Sequence, residues 1–135
     1  MLPESASQDY TIDEIQDVIN IVRACVDRKA VSYPPDRDKT FSFAAQYQLN
    51  TNLLNKILLH LTVEDFCYTL VSRNTYKNGT LLYVFSPTEN LTNLHGKKVS
   101  VELYIKLDVM GKCKDKTTVV VSMHELEFPI EHAFW

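Results

Sequence analysis

From Lys98 to Val109 the chain alternates without a break. Val99, Val101, Leu103, Ile105, Leu107 and Val109 are apolar, and every residue between them is polar. Successive side chains leave a β-strand on opposite faces, so a period of two predicts a strand with one buried face. Its apolar set must meet a core. Ser100, Glu102, Tyr104, Lys106 and Asp108 then share a second, chemically mixed face that the pattern predicts to be open. Tyr104 and Lys106 are its reactive members, and an ordinary solvated sheet face is the plainer reading of the same residues.

A chain of 135 residues can bury a substantial core without disulfide or metal staples. Its 45% hydrophobic and 23% charged residues match a soluble globular protein. No apolar run reaches the length of a membrane span, and Met1-Leu2-Pro3-Glu4-Ser5 lacks the pattern of a signal peptide. Cys25, Cys67 and Cys113 are odd in number and share no metal-like spacing, which predicts a reducing, cytoplasmic setting. His60, His95, His124 and His132 are equally scattered. No metal, cofactor or membrane partner is predicted. Charge is uneven along the chain: residues 1–38 sum to −4, residues 39–116 to +4 and residues 117–135 to −3, giving the net −3. The basic middle suits a modest anion-binding face or an ordinary uneven surface.

Residues 1–9 read as a loose polar leader, 10–128 as one domain and 129–135 as an aromatic C-terminal tail. Thr11 and Glu14 form a capping-box pattern, followed by an apolar stripe at Ile12, Ile15, Ile19, Val22 and Val26. They predict an amphipathic helix ending near Arg28-Lys29. Residues 30–33 suggest a short edge strand, stopped by Pro34-Pro35. Residues 36–39 read as a charged loop, and 41–49 as ambiguous, with Ser42 a possible cap for a short helix. A second helix starts at Thr51, with Leu53, Leu54, Ile57, Leu58 and Leu61 on one stripe; His60 is a solvated or capping residue at its end. Thr62 and Asp65 repeat the capping pattern. Residues 66–73 and 80–86 read as strands, and Asn78-Gly79 predicts a tight turn pairing Lys77 with Thr80 and Arg73 with Val84. Residues 87–97 read as a polar loop in which Asn90-Leu91-Thr92 is a glycosylation sequon. After the alternating strand and a turn, residues 117–128 form a last strand; Val119, Val120 and Val121 predict a central position covered on both faces. Helices first and strands afterwards give an α+β fold, with N-terminal helices on one face of a twisted, mainly antiparallel four-stranded sheet.

The chain carries no phosphate-cradling glycine loop, no Gly-x-Ser-x-Gly elbow and no Cys/His nucleophile arrangement. The polar sheet face remains. Ser122 and His124 share one parity of the last strand, as Tyr104 and Lys106 do on its expected neighbour. If the two faces coincide, phenol, ammonium and imidazole lie close together. Such a trio can cleave RNA: a base takes the ribose 2′-hydroxyl proton, a cation stabilises the pentavalent phosphate, and an acid protonates the leaving 5′-oxygen.

Residues Asn55 to Phe66 resemble the helix-end segment of the MqsR toxins. Phe85-Ser86-Pro87, Leu103-Tyr104-Ile105-Lys106-Leu107 and Val121-Ser122-Met123-His124-Glu125 are similar to successive later segments of that family, so the resemblance covers roughly residues 10–127. It implies a RelE-like fold and a toxin of a toxin–antitoxin pair, a metal-independent endoribonuclease (mRNA interferase) whose partners are mRNA and a cognate antitoxin protein. By the same resemblance Tyr104 stands at the family's active-site tyrosine and His124 at a family lysine, so that both are catalytic candidates. Lys106, Arg73 and Tyr68 are the RNA- and phosphate-binding candidates. Tyr68 replaces a family lysine, and Leu82 a family glutamine. A non-catalytic protein-interaction module on the same scaffold is the alternative, favoured by the acidic sum, by those two replacements and by the apolar Phe134-Trp135 end.

Overall fold

The computed structural model describes residues 2–34, 37–72, 79–110 and 117–135. Helix α1 runs from Ile12 to Asp27. Its start is fixed reciprocally: the Glu14 N–H donates to Thr11 Oγ1 at 3.1 Å, and the Thr11 N–H donates to Glu14 Oε1 at 2.8 Å. The buried stripe is Ile15, Ile19, Val22 and Cys25. Cys25 takes the fully buried place expected for Val26, and Ile12 at the first turn is exposed. Strand β1 is the dipeptide Val31–Ser32. Helix α2 spans Asp38–Gln46 and helix α3 spans Thr51–Leu59, the latter capped by Asn50, whose side chain accepts from the Leu53 N–H at 3.0 Å. His60 closes α3 and its exposed ring meets Glu89 at 2.9 Å. A short 3₁₀ turn at Val63–Asp65 leads into the sheet.

Strands β2 (Phe66–Val71), β3 (Leu81–Phe85), β4 (Thr88–Thr92), β5 (Lys98–Met110) and β6 (Thr117–Glu125) follow in sequence. Among the described residues the sheet has six strands, in the order β1-β6-β5-β3-β2, with β4 also paired to β5. Every pairing is antiparallel except β1 with β6, which is parallel. The fold is therefore α+β with a mixed six-stranded sheet, where the sequence predicted four strands.

The extra strands have clear causes. β3 and β4 lie in one register against β5, Phe85 opposite Ile105 and Thr88 opposite Glu102. They are one extended line interrupted at Ser86-Pro87. Ser86 Oγ donates to the Leu103 carbonyl at 2.6 Å and the Leu103 N–H donates to the Pro87 carbonyl at 2.9 Å, so the ladder is carried across the proline. Residues 88–92, expected to be a loop, thus form the first arm of a hairpin that turns through Asn93 to Lys97, with Gly96 at φ +77°.

Two other expectations are corrected. The β2–β3 pairing sets Val71 opposite Leu81 and Tyr68 opposite Val84. Val84 therefore does not face Arg73, and Lys77 and Arg73 themselves lie outside the described residues. The three consecutive valines do not mark a strand covered evenly on both faces. Lys106 opposes Ser122 but Leu107 opposes Val120, which makes Val121 the extra residue of a β-bulge. The bulge switches the parity of β6, which is why Val120 and Met123 both reach the main core.

That main core lies between the sheet and α1 and α3. It contains Ile19, Val22, Leu58, Phe66, Leu103, Ile105, Leu107 and Met123, each fully buried. Burying each of these side chains stabilises the fold by about 1.5–3 kcal/mol relative to exposure. Helix α2 sits along β6 on the side away from β5, where Thr40 Oγ1 accepts from the Met123 N–H at 3.1 Å. A side chain thereby satisfies an amide that no neighbouring strand reaches.

Candidate functional site: a covered polar face beside helix α2

The alternation of β5 holds through its length, and its even face is where the candidate residues meet. Tyr104 pairs with His124 across β5 and β6, and Lys106 pairs with Ser122. The Tyr104 and His124 rings stack with centroids 5.3 Å apart and planes 20° from parallel. Lys106 Nζ stands 6.0 Å from the centre of the Tyr104 ring. Phenol, ammonium, hydroxyl and imidazole therefore do share one face, as the parity of the two strands implies.

This face is not open. Tyr104 is 7% exposed, Asp108 3% and Tyr68 1%. A second, smaller apolar cluster covers it, built from Cys67, Tyr68, Val84 and Tyr104 with Leu2, Ala6, Leu70, Leu126 and Ile130 packed against them. Both ends of the chain supply that cover. Ser7 and Thr69 exchange backbone hydrogen bonds of 3.1 and 2.9 Å, and Gln8 Nε2 donates to the Cys67 carbonyl at 2.9 Å, so the N-terminal segment lies along β2. At the other end the Leu126 N–H donates to the Glu102 carbonyl and the Ala133 N–H to the Phe66 carbonyl. Phe128 meets the Tyr104 ring edge-on at 5.6 Å. His132 stacks on Trp135 with ring centres 3.9 Å apart.

Burial sets the electrostatics. It raises the Tyr104 phenol above its ordinary value, with the neighbouring Tyr68 hydroxyl adding to the effect, and it pushes Tyr68 up to about 12. Lys106 is half-buried; desolvation lowers its ammonium, and the positive charge of Arg37 lowers it further. His124 Nδ1 lies 2.7 Å from the Glu125 carbonyl oxygen. A carbonyl only accepts, so Nδ1 carries the hydrogen and Nε2 of the neutral ring is left as the acceptor. Glu127 Oε1 lies 3.8 Å from the same Nδ1.

Where the cover stops, beside α2, the face opens. A cavity of about 290 Å³ is lined by Arg37, Asp38, Lys39, Thr40 and Ser122. It shares Asp38 and Lys39 with a cleft of about 460 Å³ that reaches His124, Glu125 and Glu127. Lys39 Nζ donates to Glu127 Oε1 at 2.6 Å and holds that carboxyl below its ordinary value. The first turn of α2 thus brings a guanidinium, an ammonium and the positive end of a helix dipole toward Ser122 and Lys106, an arrangement that attracts anions.

Of the residues singled out from sequence, Tyr104, His124 and Lys106 are brought together. Tyr68 shares their cluster but is wholly buried, and Arg73 lies outside the described residues. Arg37 and Lys39 were missed, because residues 36–39 read as a charged loop when α2 begins at Asp38. The available signal was the spacing of Thr40, Phe43 and Tyr47, all buried on one side of that helix.

Among the described residues no helix is long and apolar enough to cross a membrane, and Cys25 and Cys67 are both buried. Compared with known proteins, the chain matches no family model, no curated protein and no solved structure.

Proposed function

We propose that this chain is an MqsR-like endoribonuclease toxin, an mRNA interferase that cleaves RNA by acid–base chemistry and is silenced by a cognate antitoxin protein. The observation that carries the reading is the Tyr104–His124 pair, stacked beside Lys106 with the accepting Nε2 of His124 defined. In the proposed reaction His124 Nε2 takes the proton of the ribose 2′-hydroxyl. The 2′-oxygen attacks the adjacent phosphorus, and Lys106 and Arg37 stabilise the charge of the pentavalent phosphate. The bond to the 5′-oxygen breaks, and that oxygen takes a proton from Tyr104. A phenol kept protonated by burial can give a proton but is a poor base, which fixes the direction of transfer between the two rings. The products are a 2′,3′-cyclic phosphate and a free 5′-hydroxyl. None of these steps calls on a metal ion.

The test is cleavage of end-labelled RNA by the purified chain in excess chelator, together with growth on induced expression. The reading expects cyclic-phosphate ends and growth arrest, both abolished by His124→Ala and weakened by Tyr104→Phe. Cleavage that continues unchanged in both variants removes this site from the reaction.

A second reading, a non-catalytic interaction module, draws on one observation: Tyr104 and Tyr68 are closed over by Leu2, Ala6 and Ile130. In that reading the two phenols are core residues. An intact RNA after long incubation with a folded, monodisperse chain favours it.

A further inference from the structure

The cleft next to His124 has a chemistry that the cleavage reaction does not use. One wall is α2, with exposed Ser42 and Gln46 and the edge of buried Phe43; the other is the end of β6 and the segment after it, with Glu125 and Leu126. Glu125 is held rigidly there. The Tyr47 hydroxyl and, at 3.3 Å, Gln46 Nε2 both donate to its Oε1. Burial and the bond to Glu125 push the Tyr47 phenol up to about 12, so this donor stays protonated at neutral pH. Among the described residues no hydrogen bond reaches Glu125 Oε2. An oriented carboxylate with one oxygen engaged thus stands in a cleft of about 460 Å³, with the exposed amide of Gln46 beside it. The cleft is within the size range of small-ligand sites.

We infer that this cleft is a nucleobase subsite that selects bases bearing an exocyclic amino group, seated next to the phosphate held by Arg37, Lys39 and Ser122. The inference rests on the RNA-cleaving reading and names the base that reading leaves open. Glu125 Oε2 accepts from the amino group, as carboxylates do from cytosine N4. Gln46 Nε2, with its second hydrogen, donates to the neighbouring ring nitrogen or oxygen. Phe43 and Leu126 supply apolar wall. Uracil presents a keto oxygen where cytosine has its amino group, and that oxygen meets the carboxylate with repulsion instead of a hydrogen bond. The two cavities share Asp38 and Lys39 in their walls, so a base in one and a phosphate in the other would be neighbours on one strand.

Cytidine and uridine 3′-monophosphates isolate the effect, because they share size, ribose and phosphate. NMR titration of the full chain with each, following the Ser42 and His124 signals, is expected to show cytidine binding about tenfold tighter, the worth of one hydrogen bond to a charged group. Glu125→Gln should bring the two affinities within about twofold by removing the charge. Gln46→Ala, a change at an exposed helix position, should reduce the discrimination without touching the fold. Equal affinities in the unaltered chain, or a tenfold preference that survives both substitutions, overturn the subsite. RNA cleavage in the same preparation is scored separately. A cytidine preference without cleavage retains the subsite and removes the endoribonuclease; cleavage without the preference does the reverse.

Discussion

Thr40 fastens the helix that completes the candidate site, and its substitution by valine measures how much. Thr40 is 5% exposed, and its Oγ1 is the acceptor for the Met123 N–H at 3.1 Å on the side of β6 away from β5. Valine keeps the branched shape and nearly the same volume but offers no acceptor. The Met123 amide is then a buried donor without a partner, which costs about 1–3 kcal/mol. A loss of that size is a substantial part of the about 5–15 kcal/mol that holds a typical domain folded. Urea unfolding followed by circular dichroism reads it as a lower midpoint at unchanged slope. Thr40→Ser restores the oxygen and should recover most of the loss. The site should respond as well, because α2 carries Arg37 and Lys39: binding of inorganic phosphate near Ser122 should weaken in Thr40→Val and return in Thr40→Ser. A valine variant within about 0.5 kcal/mol of the unaltered chain, the range of ordinary surface changes, would refute the claim that this bond fixes α2 to the sheet.

Three further outcomes follow from the same geometry. Tyr47, Tyr68 and Tyr104 are buried with raised phenol values, so they stay protonated in the folded chain while the unfolded chain ionises near pH 10. Folded chains then hold more protons above pH 10, and stability falls as pH rises, by about 1 kcal/mol per tyrosine between pH 10 and 11; ionisation of these three, read at 295 nm, should come together with loss of circular dichroism, and their titration at pH 10 in an intact fold contradicts the burial. Leu103→Ala removes a fully buried side chain from the main core and should cost about 2–5 kcal/mol in urea unfolding, whereas a loss below about 1 kcal/mol places Leu103 outside a close-packed core. Deletion of residues 129–135 takes Ile130 from the cluster over Tyr68 and Phe134 from its contact with Phe66; the shortened chain should unfold at lower urea and its Tyr68 and Tyr104 should titrate closer to the ordinary phenol range, and unchanged titration means the tail does not cover them.

The parts of this fold that could be read in the sequence are those governed by local periodicity. Alternation from Lys98 to Val109 gave the longest strand and its core-facing residues, and the Thr11–Glu14 box gave the start of α1. The alternation left open whether the faces of Tyr104 and His124 coincide; they do, because the two residues pair on the side of the β6 bulge where the register is unbroken. What covers a face is not a local property. Tyr104 was expected on an open surface, yet the residues that close over it, Leu2, Ala6 and Ile130, come from opposite ends of the chain. Strand β4 was hidden for another reason. Thr88, Asn90 and Thr92 are exposed and Leu91 alone is buried there, so the segment has almost no apolar pattern and is a strand through its register with β5. In the valine run of β6, three adjacent apolar residues suggested cover on two sides, and a bulge at Val121 explains them instead. Arg37 and Lys39 carry no periodic signal of their own; their place in the site comes from the side of α2 that Thr40, Phe43 and Tyr47 bury.

The most direct measurement of the central claim is the chemistry of the ends left on RNA by the purified chain in excess chelator, compared with its His124→Ala variant. Attack by the 2′-oxygen, with His124 as base, predicts 2′,3′-cyclic phosphate and 5′-hydroxyl ends, and a loss of about 10²-fold or more in rate when the imidazole is removed. Fragments ending in 3′-hydroxyl and 5′-phosphate, or an unchanged rate in His124→Ala, would contradict it.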